Sequence, residues 1–116
     1  MEEKYVENRP WGKFEQFTSN EVSTVKIISL NPNSALSFQY HHNRDEFWRV
    51  LDGQAKFTIG DKTIEGKIDD EYFIPRETNH RVVTGKFPVR FLEIAYGEFD
   101  ENDIVRIEDK YNRIKN

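Results

Sequence analysis

The feature that most restricts the fold of this chain is its punctuation. Turn-forming groups recur at Asn31-Pro32-Asn33, Asp52-Gly53, Gly60-Asp61, Asp69-Asp70 and Gly85-Lys86. The intervals beside them alternate apolar and polar residues and carry no long helical period. Strands are predicted near residues 12–17, 22–30, 35–41, 46–51, 55–59, 62–64, 71–74, 80–83 and 89–96. Such a series of short strands is the pattern of an all-β sandwich or barrel. The tail, residues 98–116, is mixed in charge but carries Ile104, Val105, Ile107 and Tyr111. It is expected to pack back on the barrel as an extended segment with a short turn or helix.

The 116 residues suit one compact domain, 1–116. The chain has no cysteine, so any transition metal must be held by nitrogen and oxygen ligands. The first ten residues, MEEKYVENRP, have no apolar core of signal-peptide type, and no run approaches the ~18 apolar residues of a membrane span. A cytoplasmic protein without membrane partners is the expectation. A net charge of −4 weighs against an extended nucleic-acid surface.

Within this frame, residues 33–53, NSALSFQYHHNRDEFWRVLDG, carry the chemistry. Alternation places Leu36, Phe38 and Tyr40 on one face of a strand and Ser37, Gln39 and His41 on the other. The turn-like His42-Asn43-Arg44-Asp45 then leads to Glu46, and a hairpin there brings Glu46 back toward Gln39 and His41. An imidazole, a carboxylate and an amide oxygen on one face suit a divalent transition metal, with His80 as the fourth member. An isolated His and Glu in a β protein are more often hydrogen-bonded surface residues than ligands; here the spacing favours the metal.

That spacing resembles the cupin motifs. Residues 33–53 fit G-x5-H-x-H-x4-E-x6-G, with Asn33 at the first glycine, Gln39 at the first histidine, and His41, Glu46 and Gly53 matching. From Asp69 the chain fits G-x5-P-x-G-x2-H-x3-N, with Pro75 and His80 matching and Asp69, Glu77 and Thr84 replacing the glycines and the asparagine. More specifically, RPWG (9–12), LSFQYHHNRDEFW (36–48), IP…NHR (74–81) and GEFDENDIVRIEDKYNR (97–113) resemble blocks of the type II phosphomannose isomerases, in the same order. In larger members of that family this domain follows a guanylyltransferase domain; the chain resembles the isomerase part standing alone. Asn43 and Phe47 replace family histidines, Ala95 a glutamine and Asn112 a glycine, and none of these is an expected metal ligand.

The resemblance implies a cupin double-stranded β-helix, or jelly-roll, barrel that interconverts mannose 6-phosphate and fructose 6-phosphate. It implies a divalent metal (Zn, Mn, Fe, Co or Ni) held by Gln39, His41, Glu46 and His80. Glu93 is the first candidate for the base and Lys56 the second, although pairing of Glu93 with a barrel arginine is an equal alternative. For the phosphate, Arg44, Arg9 and Arg106 are the candidates, with Arg113 beside Arg106 in the tail block. Trp48 shares the face of Glu46 and is the aromatic candidate at the mouth. Two other readings stay open: a metal cupin acting on another sugar or small acid, and a sugar-binding cupin without activity. A homodimer formed through β-prone edges is the expected assembly.

Overall fold

The computed structural model describes residues 4–113, and every regular element within them is a strand. There are ten: β1 (Tyr5–Arg9), β2 (Gly12–Gln16), β3 (Ser23–Leu30), β4 (Phe38–Tyr40), β5 (Asp45–Ile59), β6 (Lys62–Lys67), β7 (Glu71–Ile74), β8 (His80–Val83), β9 (Val89–Tyr96) and β10 (Val105–Glu108). β1 and β2 form a hairpin around Pro10-Trp11. The rest is organised by β5, whose 15 residues serve two antiparallel layers. Its first part pairs with β9 and β7, and β9 in turn with β3. Its second part pairs with β6 and β8, and the ladder continues through β4 to β10. This is the expected all-β cupin jelly-roll.

Alternation along each strand selects the core. Trp48, Val50, Phe57, Ile74, Val82, Val89 and Phe91 are buried between the layers, with the Phe57 ring 4.9 Å from Tyr72 and 5.7 Å from Phe91. On the outer face of the first layer Phe47, Ile94 and Tyr96 form a smaller cluster, and Phe17 packs on Phe47. The family departure at Phe47 therefore faces away from the barrel interior.

Several expectations are corrected. β5 does not end at Asp52-Gly53; the pair marks a bulge, with a register shift between Val50 and Asp52. Gly53 has φ +79°, and a Cβ there would lie 2.0 Å from the carbonyl oxygen of Pro88, so glycine is required for a close backbone approach. β4 and β5 form no hairpin, because β8 lies between them. The N-terminal strand β1 was not expected, and the tail contributes a strand, β10, paired with β4.

The motif register itself has a backbone signature. Asn33 (φ 56°), Asp69 (φ 70°) and Glu77 (φ 62°) are left-handed, as Gly53 is. These are the four positions where the two cupin motifs carry glycine. At the motif's final position Thr84 donates its hydroxyl to the carbonyl of Asn31 at 2.6 Å and accepts from the amide of Ser34. The loops are thus shaped as the motifs require, without their usual residues.

Candidate metal centre

Three elements converge on the interior. His41 follows β4, Glu46 is the second residue of β5, and His80 opens β8, opposite Gln39 on one side and Ile59 on the other. Glu46 lies with Oε2 3.6 Å from His41 Nε2 and Oε1 3.8 Å from His80 Nε2. All three residues are buried, and their ligand atoms lie within 4.8 Å of one another. The intervening strand β8 brings His80 between the other two, which is how the residues meet without a β4–β5 hairpin.

Both imidazoles are oriented from behind. His41 Nδ1 donates to the carbonyl of Asp103 at 2.6 Å, and His80 Nδ1 donates to the carbonyl of Thr78 at 2.9 Å. Each bond leaves the Nε2 lone pair facing Glu46. Burial lowers both histidine pKa values, against the opposing pull of Glu46, so the rings are neutral at pH 7. Two neutral imidazoles and a carboxylate fit a divalent transition metal. Gln39, across the ladder from His80, lines the same cavity.

The cavity, about 210 Å³, also receives Lys26, Arg44, Trp48 and Glu93. Trp48 is fully buried in the core and its indole donates to Glu46 Oε1 at 3.3 Å. Glu93 lies between Lys26 and Trp48 in the cross-strand row, and burial, then the negative Glu46, raises its pKa to about 8. No ion pair joins Glu93 to an arginine among the described residues, so the barrel-arginine alternative is not what the structure shows. Ala95, across from Glu46, is the family departure that does enter the interior, whereas Asn43 is exposed.

The expected phosphate ligands are distributed differently. Arg44 enters the site, but its donors are engaged by Glu46 Oε2 at 3.1 Å, His41 Nε2 at 3.3 Å and the carbonyl of Asp100 at 3.0 Å. Arg106 faces a neighbouring cavity with Arg113, and its Nε is buried without a hydrogen-bond partner. Arg9 stays on the β1–β2 hairpin, paired with Glu7 and packed over Phe14. Lys56 is exposed and lines a separate cavity, so it is not in reach of the centre. The bulge is the reason: continuing the parity of Glu46, Trp48 and Val50 would bring Lys56 inward, but the shift turns Ala55 and Phe57 inward instead.

The tail supplies groups that sequence reasoning did not assign. Besides orienting His41, Asp103 accepts the amides of His42 and Asn43 at 2.9 and 3.0 Å, locking the loop that carries the centre. The segment between β9 and β10 also lays Phe99 against Arg44 and Lys26, whose cationic groups are 4.4 and 4.3 Å from the ring centre. A signal for Lys26 existed, because the inward residues of β3 are otherwise Thr24, Ile28 and Leu30.

Comparison with known proteins agrees with this picture. The family model described as mannose-6-phosphate isomerase C-terminal matches residues 2–109. The mannose-1-phosphate guanylyltransferase of Escherichia coli (strain K12) is 38% identical over 109 residues, covering 91% of this chain and 23% of that protein. The xanthan biosynthesis protein XanB of Xanthomonas campestris pv. campestris (strain B100) is 37% identical over 107 residues, covering 90% and 23%. The chain thus spans under a quarter of the length of these relatives. In fold it is similar to the DMSP lyase DddQ of Ruegeria pomeroyi, with a TM-score of 0.67 at 21% identity over 90% of this chain and 51% of that one.

Proposed function

Because the chain belongs to the family of mannose-6-phosphate isomerase C-terminal domains, we propose that it is a metal-dependent isomerase interconverting mannose 6-phosphate and fructose 6-phosphate. The observation that carries this reading is one cavity holding the His41–Glu46–His80 cluster and the buried Glu93 carboxyl. Aldose–ketose isomerisation moves a proton between C2 and C1 while the oxygens on those carbons exchange carbonyl and hydroxyl character. A divalent metal bound by His41, Glu46 and His80, with Gln39 beside them, supplies Lewis-acid stabilisation of the negative charge that develops on those oxygens.

The remaining tasks fall to the chain's own side chains. In its ionised form Glu93 accepts the proton from one carbon and returns it to the other; it lines the cavity and, among the described residues, has no cationic hydrogen-bond partner. Asp103 and Thr78 hold the imidazoles in register. Trp48 forms an apolar wall, 5.4 Å from the His80 ring, and excludes water.

The transferase name of the Escherichia coli relative belongs to a protein of which this chain matches less than a quarter, and that activity is not part of the proposal. A second reading, a metal cupin acting on a different sugar or small acid, is favoured by Ala95, which leaves a short apolar side chain opposite Glu46 where the resemblance calls for an amide. Turnover assayed across aldose phosphates decides between them. Interconversion of mannose 6-phosphate and fructose 6-phosphate that is lost in Glu93→Gln supports the isomerase. No turnover of any aldose phosphate by metal-loaded protein overturns it.

A further inference from the structure

We infer that Lys26 is the residue that takes the anionic group of the substrate, in exchange for the carboxylate of Glu101. The inference rests on the sugar-phosphate reading above and names the charged contact within that same site. β3 directs Thr24, Lys26, Ile28 and Leu30 inward, so a lysine occupies a row otherwise suited to apolar contact. The apolar stem of Lys26 packs along the barrel wall while its ammonium reaches the mouth, where it can meet water or an anion. Its partner here is Glu101 Oε1, at 2.9 Å, contributed by the segment that crosses the cavity mouth.

That pair is built to be exchanged. The side chain of Glu101 is 76% exposed and that of Lys26 37% exposed, whereas Arg44, the other cation lining the cavity, is 7% exposed and fully engaged. An exposed ion pair is weakly held, because water screens it and two flexible side chains must be ordered. A phosphate dianion brings twice the charge of a carboxylate and several acceptor oxygens to the same ammonium. Phe99, on which the Lys26 ammonium rests at 4.3 Å, keeps that ammonium at the mouth whichever anion it holds. Lys26 is also the cross-strand neighbour of Glu93. An anionic group held by Lys26 therefore leaves the rest of the sugar extending past Glu93 toward the histidines. Arg44, only 7% exposed, sits deeper in the site than Lys26 and faces Glu46 and His41.

The test is kinetic and has an independent binding arm. In Lys26→Ala the KM for mannose 6-phosphate should rise about tenfold, with kcat within about twofold and no change in KM for unphosphorylated mannose; Lys26→Arg should recover most of the loss. Glu101→Gln, which removes the competing carboxylate, should lower the KM for the phosphorylated sugar. A KM unchanged in Lys26→Ala, or raised equally for both sugars, overturns the assignment, as does a phosphate-specific loss in Arg106→Ala with none in Lys26→Ala. If wild type turns over no aldose phosphate, the isomerase reading has failed. Inorganic phosphate then still reads the site in an amide-shift titration: shifts near residues 26 and 101 that vanish in Lys26→Ala support it, and shifts of equal size in both proteins overturn it.

Discussion

Within the single strand β5, Glu46 and Trp48 point into one end of the barrel, and Ala55 and Phe57 into the other. Both ends hold buried side chains, but they are filled differently. Around Phe57 the neighbours are Trp48, Tyr72, Val82 and Phe91, all carbon-rich and in ring-to-ring or van der Waals contact. Around Glu46 they are His41, His80, Arg44 and Glu93, each ionisable. Burial of apolar surface stabilises the first end directly. At the second, desolvation opposes folding, and the hydrogen bonds that the histidines donate to the carbonyls of Asp103 and Thr78, and that Trp48 donates to Glu46, only offset it. The two ends divide the labour: one holds the fold, and the other spends part of that stability on keeping a reactive set of groups in place.

The largest expected effect tests the first half of that statement. Phe57→Ala removes a fully buried ring from the apolar end and should lower stability by about 3–5 kcal/mol in chemical denaturation, without altering the metal stoichiometry of the molecules that remain folded. A loss below about 1 kcal/mol would show that the apolar end does not anchor the barrel.

Next come the ligands. His41→Ala and His80→Ala should each weaken metal retention by about a hundredfold or more, since ligand loss exceeds the effect usually seen for outer-shell partners. The measurement is elemental analysis of untagged protein after loading and desalting. If either variant keeps as much metal as wild type, the cluster is not the centre. Both variants should fold, because each removes a polar group from the costly end.

The third effect is a pH dependence confined to the polar end. Folded Glu93 keeps its proton up to about pH 8, while its ordinary value is 4.5. The folded state therefore binds the extra proton between those values. This contribution to stability is complete below pH 4.5, decreases as pH rises, and has been lost above about 8. His41 and His80 act in the opposite sense: their lowered values make the unfolded chain bind more protons as pH falls below 6.5, so stability is lost on the acid side. Glu93→Gln, measured by urea unfolding with a chelator present, should flatten the alkaline limb and gain stability at pH 8 relative to pH 5. An unchanged slope would mean that Glu93 is not the proton-binding group of this end.

The two ends also differed in how well the sequence announced them. The strand series and the motif spacing located His41, Glu46 and His80, because a ligand strand of period two and a second motif are local patterns. Three things were not local. Tyr5–Arg9 has no apolar face of its own and becomes a strand by pairing with β2. Lys56 turns outward because of a bulge several residues earlier. Asp103 reaches the centre across 62 residues of sequence, through a carbonyl that any residue carries. The fork geometry of arginine makes it the expected phosphate contact. Arg44 met a buried carboxylate first, and the cation left facing solvent in the cavity was the lysine on an apolar row.

The smallest effect concerns the loops that close the two ends. Near the apolar end the left-handed position in β5 is Gly53, and nothing else fits because the Pro88 carbonyl occupies the place of a Cβ. Near the polar end the equivalent position of the second motif is Glu77, at φ 62°, with its amide bonded to the carbonyl of His41 at 2.6 Å. A glutamate in this conformation carries the Cβ–carbonyl strain that glycine avoids, roughly 1–2 kcal/mol. Its side chain is exposed, so that strain is not compensated by packing. Glycine would relieve the strain but make the unfolded chain more flexible, an opposing loss of about 0.4–1 kcal/mol. Glu77→Gly should therefore stabilise the chain by about 0.5–1 kcal/mol, seen as a small rise in the unfolding midpoint at unchanged denaturant dependence. The His41 carbonyl keeps its donor, so metal stoichiometry should stay the same. A destabilised variant would show that the Glu77 side chain does something for the polar end that its exposed position conceals, and the contrast between the two loops would have to be redrawn.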